Sequence, residues 1–269
     1  TLALFTVMTG DVPPLQLNAL CFAIGGTLGL VWTIATGGLA KLRGVRPTVW
    51  LLGVGGLFGY HALYFSALRL APAAEAGLIA YLWPLLIVLF SGLLPGERLR
   101  ALHIVGAVVS FAGAALIIAR GGAGFQWSYV PGYMLAVCCS LTWSGYSVLS
   151  RRFKEVPTEV VTFFCLASAG LAGLAHVMFE QTVMPSSTVS WLSVIGLGLG
   201  PVGLAFFLWD IGVKRGDIQL LGTASYAAPL LSTCVLIAAG VAQATTVLLL
   251  AAVLIAVGAG LAALASHRN

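Results

Sequence analysis

Nine stretches of about twenty predominantly apolar residues follow one another along this chain of 269. They lie at roughly 16–40, 48–68, 73–94, 99–119, 129–150, 158–179, 190–213, 217–239 and 244–265. Twenty residues of α-helix rise about 30 Å, the thickness of a bilayer's hydrocarbon core. In lipid the backbone must satisfy its own hydrogen bonds, so each stretch is predicted to be a transmembrane helix. Composition agrees: 60% of residues are hydrophobic and 8% charged, with a mean hydropathy of +1.04. Soluble domains carry about 25% charged residues. A water-soluble enzyme, a nucleic-acid binder and a disordered chain are thereby excluded. The five cysteines, Cys21, Cys138, Cys139, Cys165 and Cys234, sit in apolar runs without Cys-x-x-Cys spacing and are expected to be buried thiols.

The two halves of the chain match at a nearly constant separation. Arg69 aligns with Lys214, Tyr81-x-x-Pro84 with Tyr226-x-x-Pro229, and Gly113-Ala114 with Gly258-Ala259, each 145 apart. Asp11-Val-Pro13 aligns with Glu155-Val-Pro157 and Cys21 with Cys165, each 144 apart. In this register Thr1 falls opposite Gly145, so the apolar segment Thr1–Thr9 reads as a first helix lacking its N-terminal half. The expectation is an all-α polytopic membrane protein of ten transmembrane helices. They form two inverted five-helix repeats, 1–124 and 125–269, within one membrane domain.

Five is odd, so the second repeat must enter the membrane from the opposite side. With both termini cytoplasmic, the inner loops hold eleven basic residues: Lys41, Arg43, Arg46, Arg98, Arg100, Arg151, Arg152, Lys154, Lys214, Arg215 and Arg268. The outer loops hold only Arg69 and Arg120. This distribution obeys the positive-inside rule, and the net charge of +5 is therefore a topology signal.

Tyr81-Leu-Trp-Pro84 followed by Pro95-Gly-Glu97, with Gly106 and Gly113 beyond, resembles the ten-helix EamA-type branch of the drug/metabolite transporter superfamily. The stretch from Tyr60 to Gly113 is similar to the aromatic amino acid exporters of that branch. The second repeat keeps Tyr226 and Pro229 but has Gly240-Val-Ala242 where the first has Pro-Gly-Glu. The resemblance implies export of amino acids, aromatic and other neutral ones, across a bacterial inner membrane. Its partners would be a small-molecule substrate and the bilayer, without nucleic acid and without a cofactor.

Polar side chains inside membrane spans are costly and mark function by default. His61 lies near the middle of 48–68, and Tyr60 and Tyr64 flank it on one helix face. A structural histidine satisfied by a backbone carbonyl and an aromatic packing stripe are the competing readings. Pro84 lacks an N–H, so it frees the carbonyl of residue 80 and kinks its helix beside Tyr81 and Trp83; Pro229 does the same beside Tyr226. Matching breaks at mid-span point to a transport site. On a straight helix Tyr81 and Trp83 diverge by about 200°, so both face one site only if the kink turns one of them. Trp143 and Ser144 fall at the same depth. The expected substrate-binding set is Tyr60, His61, Tyr64, Tyr81, Trp83, Pro84, Trp143, Ser144, Tyr226 and Pro229. No catalytic or metal-ligating set is expected.

Asp210 and Lys214, one turn apart, read as a stabilising pair, and Glu75 and Glu97 as acids at helix starts. Three runs read as small-residue packing faces: Gly25-Gly26…Gly29, Gly106-x3-Ser110-x3-Ala114 and Ala252-x3-Ala256-x3-Gly260. Packing within one chain, hence a monomer, is the expectation. Two other classes compete with an alternating-access carrier. Intramembrane proteases need Gly-x-Ser-Gly with a histidine, His-Glu-x-x-His or Gly-x-Gly-Asp, and none of these occurs. A channel fits poorly with paired kinks. Among carriers the alternative is multidrug or quaternary-cation efflux, because aromatic cages also hold cations.

Overall fold

The computed structural model describes residues 2–119 and 124–267. Arg120, Gly121, Gly122 and Arg268, which entered the loop and charge assignments above, lie outside the described residues. Every regular element among those described is helical: α1 (Leu2–Met8), α2 (Pro14–Ala35), α3 (Pro47–Leu70), α4 (Ala73–Ala80), α5 (Trp83–Ser91), α6 (Ala101–Ile118), α7 (Val130–Arg151), α8 (Val160–Phe179), α9 (Thr188–Leu199), α10 (Ala205–Arg215), α11 (Ile218–Ala224), α12 (Ala227–Ala238) and α13 (Thr246–His267). Short 3₁₀ turns occupy Gly38–Leu42 and Trp127–Tyr129, and a π-helical turn, Gly200–Leu204, joins α9 to α10. Among the described residues, eight helices, counting α4–α5, α9–α10 and α11–α12 as one each, are long and apolar enough to cross a membrane. The protein is an all-α polytopic membrane protein.

α7 is as long as these but carries Ser140, Thr142, Ser144, Ser147 and Ser150. Three of the hydroxyls donate back into their own helix: Ser140 to the Val137 carbonyl, Thr142 to Cys138 and Ser144 to Ser140, at 2.7–2.8 Å. Such bonds let a polar helix sit among apolar ones without orphaned groups.

The chain forms two compact units, each drawing on both halves of the sequence. Unit 1 is Thr1–Ala62 with Phe153–Lys214, and unit 2 is Leu63–Arg152 with Arg215–Asn269. In unit 1, α2 packs along α8. Gly26 meets Leu166, Gly29 meets Thr162, and the Thr33 and Thr162 hydroxyls are hydrogen-bonded at 3.1 Å. The N–H groups that open α2 have no helical partners. The carboxylate of Glu180 accepts from Leu15 and Gln16, all at 3.1 Å, placing an anion where the helix dipole favours one. Gln16 also exchanges two 3.0 Å bonds with the Val183 backbone. Asp210 and Lys214 are buried, bonded to each other at 2.9 Å, with Thr158 donating to Asp210 and Lys214 donating to the Val156 carbonyl.

In unit 2, α6 packs along α13. Gly106 lies against Gly258 and Ala262, and Gly113 against Ala251 and Ile255. Ascending residues of one helix meet descending residues of the other, so the pair is antiparallel, as is α2 with α8 in unit 1. In the 145-residue register Ala101 is the mate of Thr246 and Ala73 of Ile218, and these residues open α6, α13, α4 and α11.

The structure differs from the sequence reading at four places. The stretch 16–40 ends as helix at Ala35, because Gly37 takes a left-handed φ of 65°. The stretch 190–213 is interrupted by the π-helical turn at Gly200-Pro201. The packing face of α13 is Ala251–Ile255–Gly258–Ala262; the neighbouring stripe Ala252–Ala256–Gly260 faces away, and nothing approaches Gly260. Cys138 and Cys234 are exposed on their helices, whereas Cys21, Cys139 and Cys165 are buried.

Candidate functional site

In unit 2 the span 73–94 is two helices with a break at Tyr81–Leu82. Pro84 denies the Ala80 carbonyl its helical donor. The next amide, Leu85, turns away from the Tyr81 carbonyl and donates to the Tyr226 hydroxyl at 3.0 Å. The break turns Tyr81 and Trp83, which a straight helix would point apart, to one side, with ring centroids 6.2 Å apart. Trp83 meets Trp143 edge to face at 6.3 Å, and Trp143 packs on Tyr146 at 5.3 Å. Tyr81, Trp83 and Tyr64 are half-buried, while Trp143 and Pro84 are buried. The Tyr64 hydroxyl reaches toward Gly77, one turn before the break. Tyr81 and Trp83 thus present a phenol and an indole beside two backbone carbonyls released from helix bonding, an arrangement suited to a ligand with a cationic amine and an apolar body.

Two residues of the expected set are committed elsewhere. Tyr226 is fully enclosed (0% exposed) among Ala114, Ile117, Leu248, Ala251 and Ile255, with its hydroxyl on Leu85. Ser144, also at 0%, spends its hydroxyl on the Ser140 carbonyl. Their side chains have no surface to offer a ligand in this conformation. Pro229 is the third residue of α12 and, with the break at Ser225–Tyr226, mirrors Pro84. Gly222 brings α11 close to the Pro84 carbonyl, and Tyr226 follows one turn later. That glycine and the Phe111 ring, 5.8 Å from Tyr226, were not singled out by the sequence reading; an isolated glycine in a helical run was the available signal.

In unit 1, Tyr60 and His61 are half-buried on α3. The His61 ring is met edge-on by Tyr60 and Phe22 at 5.1 Å and by Phe206 at 6.1 Å. His61 Nδ1 lies 2.8 Å from the Leu57 carbonyl, which can only accept, so Nδ1 carries the proton. The structural reading of this histidine is met at that nitrogen. Phe206 stands just past the π-helical turn and stacks on Phe22 at 5.4 Å. The turn itself is held where Gly203 and Gly198 meet Gly25 of α2 backbone to backbone. The Gly200-Pro201 dipeptide was the sequence signal for it.

Two acids outside the expected set, Glu97 and Glu75, are hydrogen-bonded across helices and loops. Glu97 accepts from Arg151 Nε at 2.6 Å, and Arg151 also donates to the Gly216 carbonyl at 2.7 Å. Glu75 is buried, and its Oε1 accepts from the Gly124 amide at 2.9 Å. Among the described residues no group of three or more His, Cys, Asp or Glu is arranged to hold a metal ion.

The EamA-like transporter family matches residues 1–119 and 130–264. A protein of Ancylobacter novellus named aromatic amino acid exporter YddG is 56% identical over 100% of this chain and 94% of its own length. The Escherichia coli protein of that name is 24% identical over 80% of this chain and 75% of its own. A pseudopaline exporter, CntI of Pseudomonas aeruginosa, is 28% identical over 65% of this chain and 60% of its own. A crystal structure of a protein 56% identical to this one superposes with a TM-score of 0.95, covering 100% of this chain and 93% of that one.

Proposed function

The chain belongs to the EamA-like transporter family, and on that premise we propose that it is a secondary carrier exporting aromatic and other neutral amino acids across a bacterial inner membrane. It works as a monomer by alternating access, with both termini cytoplasmic. The observation that carries the reading is the group at the α4–α5 break, where Tyr81 and Trp83 stand side by side next to two carbonyls without helical donors.

A zwitterion in the membrane needs both charged ends paired, because desolvating either one alone is prohibitive. The Ala80 and Tyr81 carbonyls receive the ammonium group, and the Tyr81 hydroxyl donates to the carboxylate. Trp83 and Trp143 flank the side chain; flat aromatic walls tolerate many shapes and favour rings. Tyr64 closes the same group from α3. Tyr60 and His61 form a second polar group in unit 1, with the His61 Nδ1 proton held by the Leu57 carbonyl. Pro84 and Pro229 hold the breaks, while Tyr226 and Ser144 belong to the scaffold.

The test is transport by Tyr81→Ala and His61→Ala proteins that elute as single species with melting temperatures near the parent's. Loss of transport or altered preference among amino acids supports the site. Parental rates for every amino acid from both proteins contradict it. Preferential transport of quaternary cations by the unaltered protein would make these aromatic rings a cation cage instead.

A further inference from the structure

The breaks at Tyr81 and Tyr226 are register mates, yet they are finished differently. α5 begins at Trp83, so Leu85 is its third residue, one of the orphan donors of a helix start. Its N–H is capped from another helix by the Tyr226 hydroxyl at 3.0 Å. α12 begins at Ala227, one residue earlier in the shared register, so Leu230, the mate of Leu85, is its fourth residue and lies inside the ladder. The hydroxyl of Tyr81, the mate of Tyr226, has no hydrogen-bond partner among the described residues. The two phenol rings lie 6.2 Å apart, tilted by 41°. Two mates therefore sit in contact, one engaged on the opposite break and one disengaged.

We propose that Tyr226 is a positioning residue of the transport cycle, and that in the oppositely facing state its bond to Leu85 is exchanged for a bond from Leu230 to the Tyr81 hydroxyl. This rests on the reading of the chain as an alternating-access carrier built from inverted repeats. In such a carrier the two states interchange the conformations of the repeats, so an asymmetry between mates in one state is reversed in the other. Here the reversal needs α12 to give up its first residue, α5 to gain one, and one phenol to replace the other. Leaving the half-buried amide of either break uncapped is costly, so each hydroxyl stabilises one state over the other. The Tyr81 hydroxyl is thereby free to meet substrate in the state seen here and committed to Leu230 in the other, which couples release of the carboxylate to the change of state.

The experiment uses the full chain with its native cysteines replaced and Tyr60→Cys introduced. A membrane-impermeant maleimide is applied from each side of oriented vesicles, and phenylalanine counterflow is measured in parallel on the unaltered protein. Tyr226→Phe and Tyr81→Phe each delete one hydroxyl and keep the ring. The expected result is that they shift the ratio of inside to outside labelling in opposite directions, each by about fivefold, the population change one buried hydrogen bond carries. Amide hydrogen exchange at Leu85 should quicken about tenfold in Tyr226→Phe alone. Shifts in the same direction, or no shift, overturn the exchange while leaving the carrier reading intact. No counterflow by the unaltered protein removes the carrier reading itself. Should Tyr226→Phe fail to fold, Tyr81→Phe decides: it must move the labelling ratio and quicken amide exchange at Leu230 but not at Leu85, and an unmoved ratio, or quickened exchange at Leu85 instead, overturns the proposal.

Discussion

The hydroxyl of Tyr226 accepts the amide hydrogen of Leu85 at 3.0 Å, so the break between α11 and α12 supplies the cap for the break between α4 and α5. The residues are 141 apart in sequence. The break is therefore held from both sides: Pro84 removes a donor inside the helix, and Tyr226 takes the next donor out of it.

Restoring the donor should close the break. In Pro84→Ala the new N–H returns to the Ala80 carbonyl and the ring clash disappears, which favours a continuous helix by up to ~3 kcal/mol. Tyr81 and Trp83 then point apart. The expected outcome is an unchanged or raised melting temperature with a maximal transport rate at least about tenfold lower. A protein that keeps its rate with a healed helix contradicts the role given to the break.

Two small-residue stripes on α13 are told apart by substitution. A side chain at Gly258 would run into the Gly106 carbonyl and Ser110, so Gly258→Val forces α6 and α13 apart and should cost about 1–3 kcal/mol or more. Gly260 has nothing within 4 Å, and Gly260→Ala should be neutral or stabilising by up to ~1 kcal/mol. Thermal melts of the two proteins check the assignment, and equal destabilisation would refute it.

Glu97 and Arg151 form a pair about one-fifth exposed, with Arg151 also holding the Gly216 carbonyl. Arg151→Ala is expected to cost ~1–3 kcal/mol, between an exposed pair and a buried one. Arg151→Lys should recover only part of this, because an ammonium cannot span both acceptors in the guanidinium's planar geometry. Full recovery by lysine would mean the Gly216 bond contributes nothing.

Acid should loosen unit 1 at Glu159. Burial pushes its carboxyl upward, but the 2.6 Å bond from Lys41, a backbone bond and the charges of Lys41 and Lys214 outweigh that and hold it below its ordinary 4.5. The unfolded carboxyl then takes up its proton first on acidification. The stabilisation is whole above about pH 4.5 and is lost as pH falls through the lower folded value. Lys41→Gln removes the main opposing partner, so its melting temperature should decline less steeply between pH ~6 and ~3 than the parent's. Identical slopes would show that the pair contributes nothing to acid stability.

Helix positions were legible because bilayer thickness fixes the length of an apolar run, and the breaks because proline cannot donate. The side-by-side placement of Tyr81 and Trp83 was not legible, since it depends on how far the chain turns between Ala80 and Trp83. The commitments of Tyr226 and Ser144 were hidden for different reasons. One hydroxyl finds a partner 141 residues away, and the other chooses its own helix over the site. The Glu180 cap on α2 joins residues 165 apart and leaves no periodic trace. The π-helical turn depends on the close approach of Gly25, which the Gly200-Pro201 dipeptide only hints at.

The proposed activity is carriage of aromatic amino acids. Counterflow in vesicles reconstituted with purified protein tests it most directly: vesicles loaded with unlabelled phenylalanine are diluted into a trace of labelled phenylalanine, with tryptophan, alanine or a quaternary ammonium compound as competitor. Saturable accumulation of label is expected, which tryptophan suppresses strongly, other neutral amino acids suppress less, and the cation leaves nearly untouched. Label that leaks in without saturation, or accumulation abolished only by the cation, would contradict it.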